Sequence, residues 1–179
     1  MMQHSPAMDE ALRGLPRRRL LQLGLGAGAL LAVGGGLAWL WRPGWRGGRL
    51  TASGRAIFAA VARVVLEGSL SNEPAAVARH LAALDTTLAG LSPAARAELS
   101  QLLGLLSVSA GRQWLAGLAV DWPEASVIEI EAALRRMRLD DSALRQQAYH
   151  ALRDLSNAAF YAEPAHWPLI GYPGPTPIA

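Results

Sequence analysis

Ser92 to Leu106 reads SPAARAELSQLLGLL, and this stretch decides the fold class. A serine hydroxyl accepts a hydrogen bond from the free N–H groups at a helix start, and a proline behind it sacrifices no bond in the first turn. Leu99, Leu102, Leu103 and Leu106 then recur at steps of three and four, a wide apolar stripe along one face. The stretch predicts an amphipathic helix that needs neighbours of the same kind to cover it.

The flanking sequence supplies them. Upstream, Ser53 to Glu67 places Ile57, Val61, Val64 and Val65 on one face before Gly68 ends it. Pro74 then opens a second helix, with Val77, Leu81, Leu84 and Leu88 inward and Gly90 as its stop. Downstream, Gly104, Gly111 and Gly117 predict a break near Ser109 to Gly111, then a short helix with Trp114, Leu115 and Leu118. Asp121 or Trp122 ahead of Pro123 predicts the opening of the next helix, with Val127, Ile130, Leu134 and Met137 facing the core. The last begins near Asp141-Ser142 and is lined by Leu144, Ala148, Leu152 and Leu155.

No window shows the two-residue alternation of a strand. The expectation is an all-α fold, a small bundle of about five to six helices over residues 53–161. Pro164, Pro168, Pro173, Pro175 and Pro177 preclude a regular helix, so residues 162–179 are expected as an extended, aromatic-rich tail.

The N-terminal part is of another kind. Arg17-Arg18-Arg19-Leu20-Leu21-Gln22 precedes a run without charge that continues to Trp41. Arginines that stay at the cytoplasmic face while an apolar segment enters the membrane make an export signal. The spacing resembles the twin-arginine signal, with Pro16 and Gln22 standing where Ser or Thr and Lys are usual. Arg17, Arg18, Leu20 and Leu21 are its expected determinants, and the twin-arginine translocase is an expected partner. Gly24, Gly26, Gly28 and Gly34 to Gly36 keep the segment only mildly apolar, and Arg42, Arg46 and Arg49 follow it. Both features suit that route, which carries folded proteins to the periplasm. Leu20 to Trp41 also matches the ~20 residues that cross a bilayer, with Trp39, Trp41 and Trp45 suited to its interface. Residues 1–41 therefore read as a signal or an uncleaved inner-membrane anchor, and residues 42–52 as a basic, glycine-rich collar.

Composition narrows the chemistry. The net charge of the 179-residue chain is +3, yet from Leu50 onward ten arginines face twelve acids. The folded part thus lacks the basic balance that nucleic-acid binding needs. Without cysteine there are no disulfides, thiolate metal sites, iron–sulfur clusters or covalently attached haem; without lysine there is no Schiff base. His4, His80, His150 and His166 show no metal-ligand spacing, and His80 and His150 read as polar or boundary positions on helices. Asp121, Glu124, Glu129 and Glu131 lie at a helix start and on its polar side, with Arg135, Arg136 and Arg138 near its end. That arrangement complements the helix dipole better than it makes an acid–base pair. Gly24, Gly26 and Gly28 fall in the leader, so no dinucleotide loop follows a strand. No catalytic, metal or cofactor residue is expected on this chain.

The tail is more specific. Ala159-Phe160-Tyr161-Ala162-Glu163-Pro164, then Trp167, then Ile170-Gly171-Tyr172-Pro173-Gly174-Pro175 resembles the closing motif of the gluconate 2-dehydrogenase subunit 3 family. The middle, including DWPEAS and LRQQAYHALRDL, is similar to twin-arginine leader proteins paired with glucose–methanol–choline type oxidoreductases. The resemblance implies a non-catalytic small subunit of a membrane-associated periplasmic dehydrogenase. FAD would sit on a large partner subunit, a cytochrome or quinone would take the electrons, and the small subunit would assist folding and export of the large one. A stiff aromatic surface loses little entropy on docking, so Phe160, Tyr161, Pro164, His166, Trp167, Tyr172 and Pro173 are the candidate partner contacts. The same tail could instead pack across its own bundle. The alternative function is a membrane-anchored periplasmic helical domain with an unrelated partner.

Overall fold

The computed structural model describes residues 43–175. Most of them are helical: α1 (Ala52–Val65), α2 (Pro74–Ala89), α3 (Pro93–Ser107), α4 (Ser109–Ala116), α5 (Val127–Leu139), α6 (Ala143–Tyr161) and a 3-10 helix, η1 (Pro164–Ile170). The export determinants Arg17, Arg18, Leu20 and Leu21, the whole of the signal or anchor segment, His4 and Pro177 lie outside the described residues.

The predicted caps form. Ser92 Oγ accepts from Ala95 N at 3.2 Å with Pro93 in the first turn of α3, and α3 gives way to α4 at Val108. Leu118 lies beyond α4, after Gly117 in the left-handed region at φ 67°, but is buried all the same. The start of α5 differs from expectation. Asp121 O accepts from Glu124 N at 3.0 Å and Ala125 N at 2.9 Å, so Pro123 sits in a tight turn and the helix opens after Ser126. A reciprocal cap decides this: Ser126 Oγ accepts from Glu129 N at 3.3 Å while the Glu129 carboxylate accepts from Ser126 N at 2.8 Å. Val127, expected inward, is consequently 40% exposed at the helix entrance. The hydrogen bonds from the Ser126 side chain and backbone hold the Glu129 carboxyl below its usual range. Ser126→Ala is expected to lower stability by about 1 kcal/mol, read as a shift in the urea midpoint with unchanged slope.

Helix α1 is the centre of the packing. Ile57, Phe58, Ala60, Val61 and Ala62 are all buried, more than one stripe, because α2, α3, α5 and α6 all pack on it. Leu84 and Leu88 of α2, Leu103 and Leu106 of α3, Ile130 and Met137 of α5 and Leu152 of α6 complete the core.

The collar belongs to this fold. Trp45–Arg46 (β1) and Arg49–Leu50 (β2) pair antiparallel about Gly47 and Gly48, whose φ of 60° and 81° suit a two-residue hairpin turn. Two-residue strands are too short to leave an alternating pattern in the sequence. Gly44 N donates to Ser100 O at 3.1 Å, and a Cβ on Gly44 would lie 2.1 Å from Leu103 Cβ, so only glycine allows this approach to α3. Trp45 packs against the core and hydrogen-bonds Ser100 through both its N–H and its carbonyl. It is thereby engaged in the bundle. Leu50 is buried, and its N–H donates to Asp85 Oδ1 at 2.7 Å.

Candidate functional site

The tail is positioned by the end of α6. A helix leaves its last carbonyls without intrahelical partners; Tyr161 O is in that state, and Phe160 O accepts a long backbone bond from Glu163 N at 3.4 Å. The sequence that follows provides side chains for both. His166 Nδ1 lies 2.6 Å from Phe160 O and, facing a carbonyl that can only accept, carries the proton. Trp167 Nε1 donates to Tyr161 O at 2.9 Å. To bring both rings back, Pro164 to Ile170 wind as η1, which ends at Gly171 with φ 69°. The prolines that predicted an extended tail are compatible with this turn, since their fixed φ suits a 3-10 helix and only the donor is lost.

Phe160 is the inward end of the assembly. Only 2% exposed, it packs with Ala62 and Leu66, and the His166 ring stacks on it at 3.8 Å with planes 2° apart. Tyr161 meets Phe160 edge-on at 5.1 Å. Phe160 is thus interior, which removes it from the expected partner contacts. Tyr161, His166 and Trp167 are half-buried by their duty to α6, while Pro164, Tyr172 and Pro173 remain exposed. Trp167 also supports the outer face: Tyr172 N donates to Trp167 O at 3.1 Å, and the two rings meet at 5.2 Å.

Two apolar residues not singled out in the sequence share that outer face. Leu169 and Ile170 are 57% and 56% exposed beside Tyr172 at 44%. Their signal was Pro168-Leu169-Ile170-Gly171, adjacent aliphatic residues in a segment too short to bury both. His80 of α2 was also misjudged as a boundary residue. It is 5% exposed, meets Phe160 edge-on at 6.3 Å, and neither ring nitrogen has a hydrogen-bond partner among the described residues. Burial, with a smaller effect from His166, lowers its pKa from 6.5 to about 4, so it is neutral near pH 7. Its signal was spacing: Ala76 and Leu84, one turn to either side, are both buried.

The acidic positions serve structure. Asp121 Oδ1 accepts from Arg112 Nη1 at 3.0 Å and Trp122 N at 2.9 Å, and Glu129 closes the α5 cap. His150 is exposed, 4.0 Å from Asp154. Among the described residues no group of three or more His, Cys, Asp or Glu is placed to hold a metal ion, and no helix is long and apolar enough to cross a membrane. Compared with protein-family models, curated proteins and solved structures, the chain matches none.

Proposed function

We propose that this chain is the non-catalytic small subunit of a membrane-associated periplasmic flavin-dependent dehydrogenase, assisting the folding and twin-arginine export of a larger subunit that carries FAD. The leader supports the export half of the reading through Arg17-Arg18-Arg19-Leu20-Leu21, and the tail motif supports the partner half through its likeness to the gluconate 2-dehydrogenase subunit 3 family. The observation that carries the proposal is the division of the tail into two faces. His166 and Trp167 hold it to α6, while Leu169 and Ile170 at the end of a short helix, and Tyr172 just beyond it, are exposed. Such a surface is ordered before it meets a partner, so little conformational entropy remains to be lost on docking. A cytochrome or quinone would receive the electrons outside this chain.

The test is affinity purification from native membranes and periplasm of the chain tagged after Ala179, beside the same chain with Arg17→Lys and Arg18→Lys. A stoichiometric partner with a flavin absorption spectrum is expected, and the double-lysine variant is expected to leave both proteins in the cytoplasm. A colourless, solitary chain, or a flavoprotein that is exported without it, would overturn the proposal.

A further inference from the structure

A groove of about 600 Å³ runs between α5 and α6 over α1, on other helices from the tail. Its apolar lining is Val64, Val65 and Leu134, and above them stand Arg135 and Arg138 from α5 and Arg153 from α6. Arg135 and Arg138 lie one turn apart on a single helix face and Arg153 stands on the facing wall, so three arginines line one concavity. Glu131 is the carboxylate in the lining. Neither Arg135 nor Arg138 forms an ion pair among the described residues, whereas Arg153 Nη1 meets its neighbour Asp154 at 2.9 Å. The groove is positive in a region whose arginines, from Leu50 onward, are outnumbered by acids.

Complementing the helix dipole explains Arg138 in the last turn of α5 but does not call for an arginine facing it on α6. Arg63 holds Trp122 O and Ala125 O, Arg112 holds Asp121 and Arg145 holds Asp140, whereas Arg135 and Arg138, like Arg79 and Arg136, have no hydrogen-bonded or ion-paired partner among the described residues. Arg135 and Arg138 are exposed. Planar guanidinium forks match the oxygen geometry of phosphate, and Tyr149 and Asn157, also in the lining, offer a hydroxyl and an amide as neutral donors. The volume is that of a small-molecule pocket, and a concave shape selects a compact group over a broad protein face.

The geometry points to a binding site for a phosphate ester, its phosphoryl group between Arg135, Arg138 and Arg153 and its apolar part against Val64, Val65 and Leu134. The chemistry is shared by soluble phosphate esters and by anionic lipid headgroups. It is independent of the proposed partner and of the tail.

The test uses the full chain in mild detergent, titrated calorimetrically with phenyl phosphate, and the same chain floated with phosphatidylglycerol or phosphatidylcholine vesicles. Saturable binding is expected, weakened at least tenfold by Arg135→Gln with Arg138→Gln, weakened also by Arg153→Gln, and diminished by salt. Arg135→Lys with Arg138→Lys should recover part of it, and circular dichroism should show every variant folded. Binding of phenyl phosphate assigns the site to soluble esters. Arginine-dependent flotation with phosphatidylglycerol alone assigns it to a lipid headgroup, the comparison with the variants removing any contribution of the leader. Binding in neither arm, equal binding by the glutamine variants, or preference for a glutamate-rich peptide would overturn it.

Discussion

Trp122→Ala is expected to lower the stability of the helical domain by about 4 kcal/mol, measured by urea unfolding followed by far-ultraviolet circular dichroism. The indole is 1% exposed, among the largest of the fully buried side chains, and truncation leaves a cavity that the helices around it cannot close. It also removes a hydrogen bond in a place water does not reach. Trp122 Nε1 donates at 2.9 Å to Leu106 O, one of the carbonyls that the end of α3 at Ser107 leaves unpaired. Trp122→Phe restores most of the packing but not the donor, and should cost about 1–2 kcal/mol. The backbone around the indole is already fixed, since Arg63 Nη2 reaches Trp122 O at 3.3 Å and Ala125 O at 3.2 Å, so the site does not collapse readily. Trp114, 53% exposed with Arg145 6.0 Å from its ring centre, is the control; Trp114→Ala should cost no more than about 1 kcal/mol. Equal losses at the two tryptophans would contradict the assignment of Trp122 to the core.

The second large effect is a loss of stability on acidification that His80→Leu abolishes. Above pH 6.5 the imidazole is neutral in both folded and unfolded chains and contributes no pH dependence. Below that value the unfolded chain takes up a proton that the folded chain refuses until about pH 4. Stability therefore falls as pH falls through this window, by about 3 kcal/mol in total, and the contribution levels off below it. Leucine, similar in volume and without the two unpaired nitrogens, should remove that slope and raise stability at pH 7 by about 1 kcal/mol. The check is the difference between wild type and variant in denaturation midpoints measured across the window, since other titrating groups cancel in it. Parallel curves would show that His80 is not the buried neutral imidazole described.

Much of the helical pattern is legible because its signals are local. Ser92-Pro93 and the leucines after it specify α3 within fifteen residues. What fails is whatever depends on competition between local signals or on distant partners. Pro123 satisfies the rule for a helix start, but a reciprocal cap three residues on is stronger, and no scale applied to Pro123 alone contains that comparison. His80 looks polar until the helix period places it between Ala76 and Leu84. Two-residue strands are invisible to periodicity, so β1 and β2 emerge only when Ser100 and Asp85, far along the chain, supply their hydrogen bonds. In the tail, Pro164, Trp167 and Tyr172 mark a stiff aromatic segment, but its inner and outer faces follow from which carbonyls at the end of α6 the His166 and Trp167 rings reach. The groove arginines were read as complements of a helix dipole, and that reading covers their place along α5 without addressing what stands opposite them on α6.

The closure of Phe160 by His166 and Trp167 bears on the order in which the chain can be made. Translation delivers α1 before the later helices, but its Ala62 and its cap residue Leu66 await a ring that emerges more than ninety residues later, and that ring awaits His166, which follows it. A chain halted before His166 leaves the Phe160 ring without its stacked partner and Tyr161 O without the Trp167 donor. For a protein proposed to leave the cytoplasm folded, His166 and Trp167 serve as a seal, and a chain cut ahead of them is recognisable as unfinished by its exposed aromatic ring.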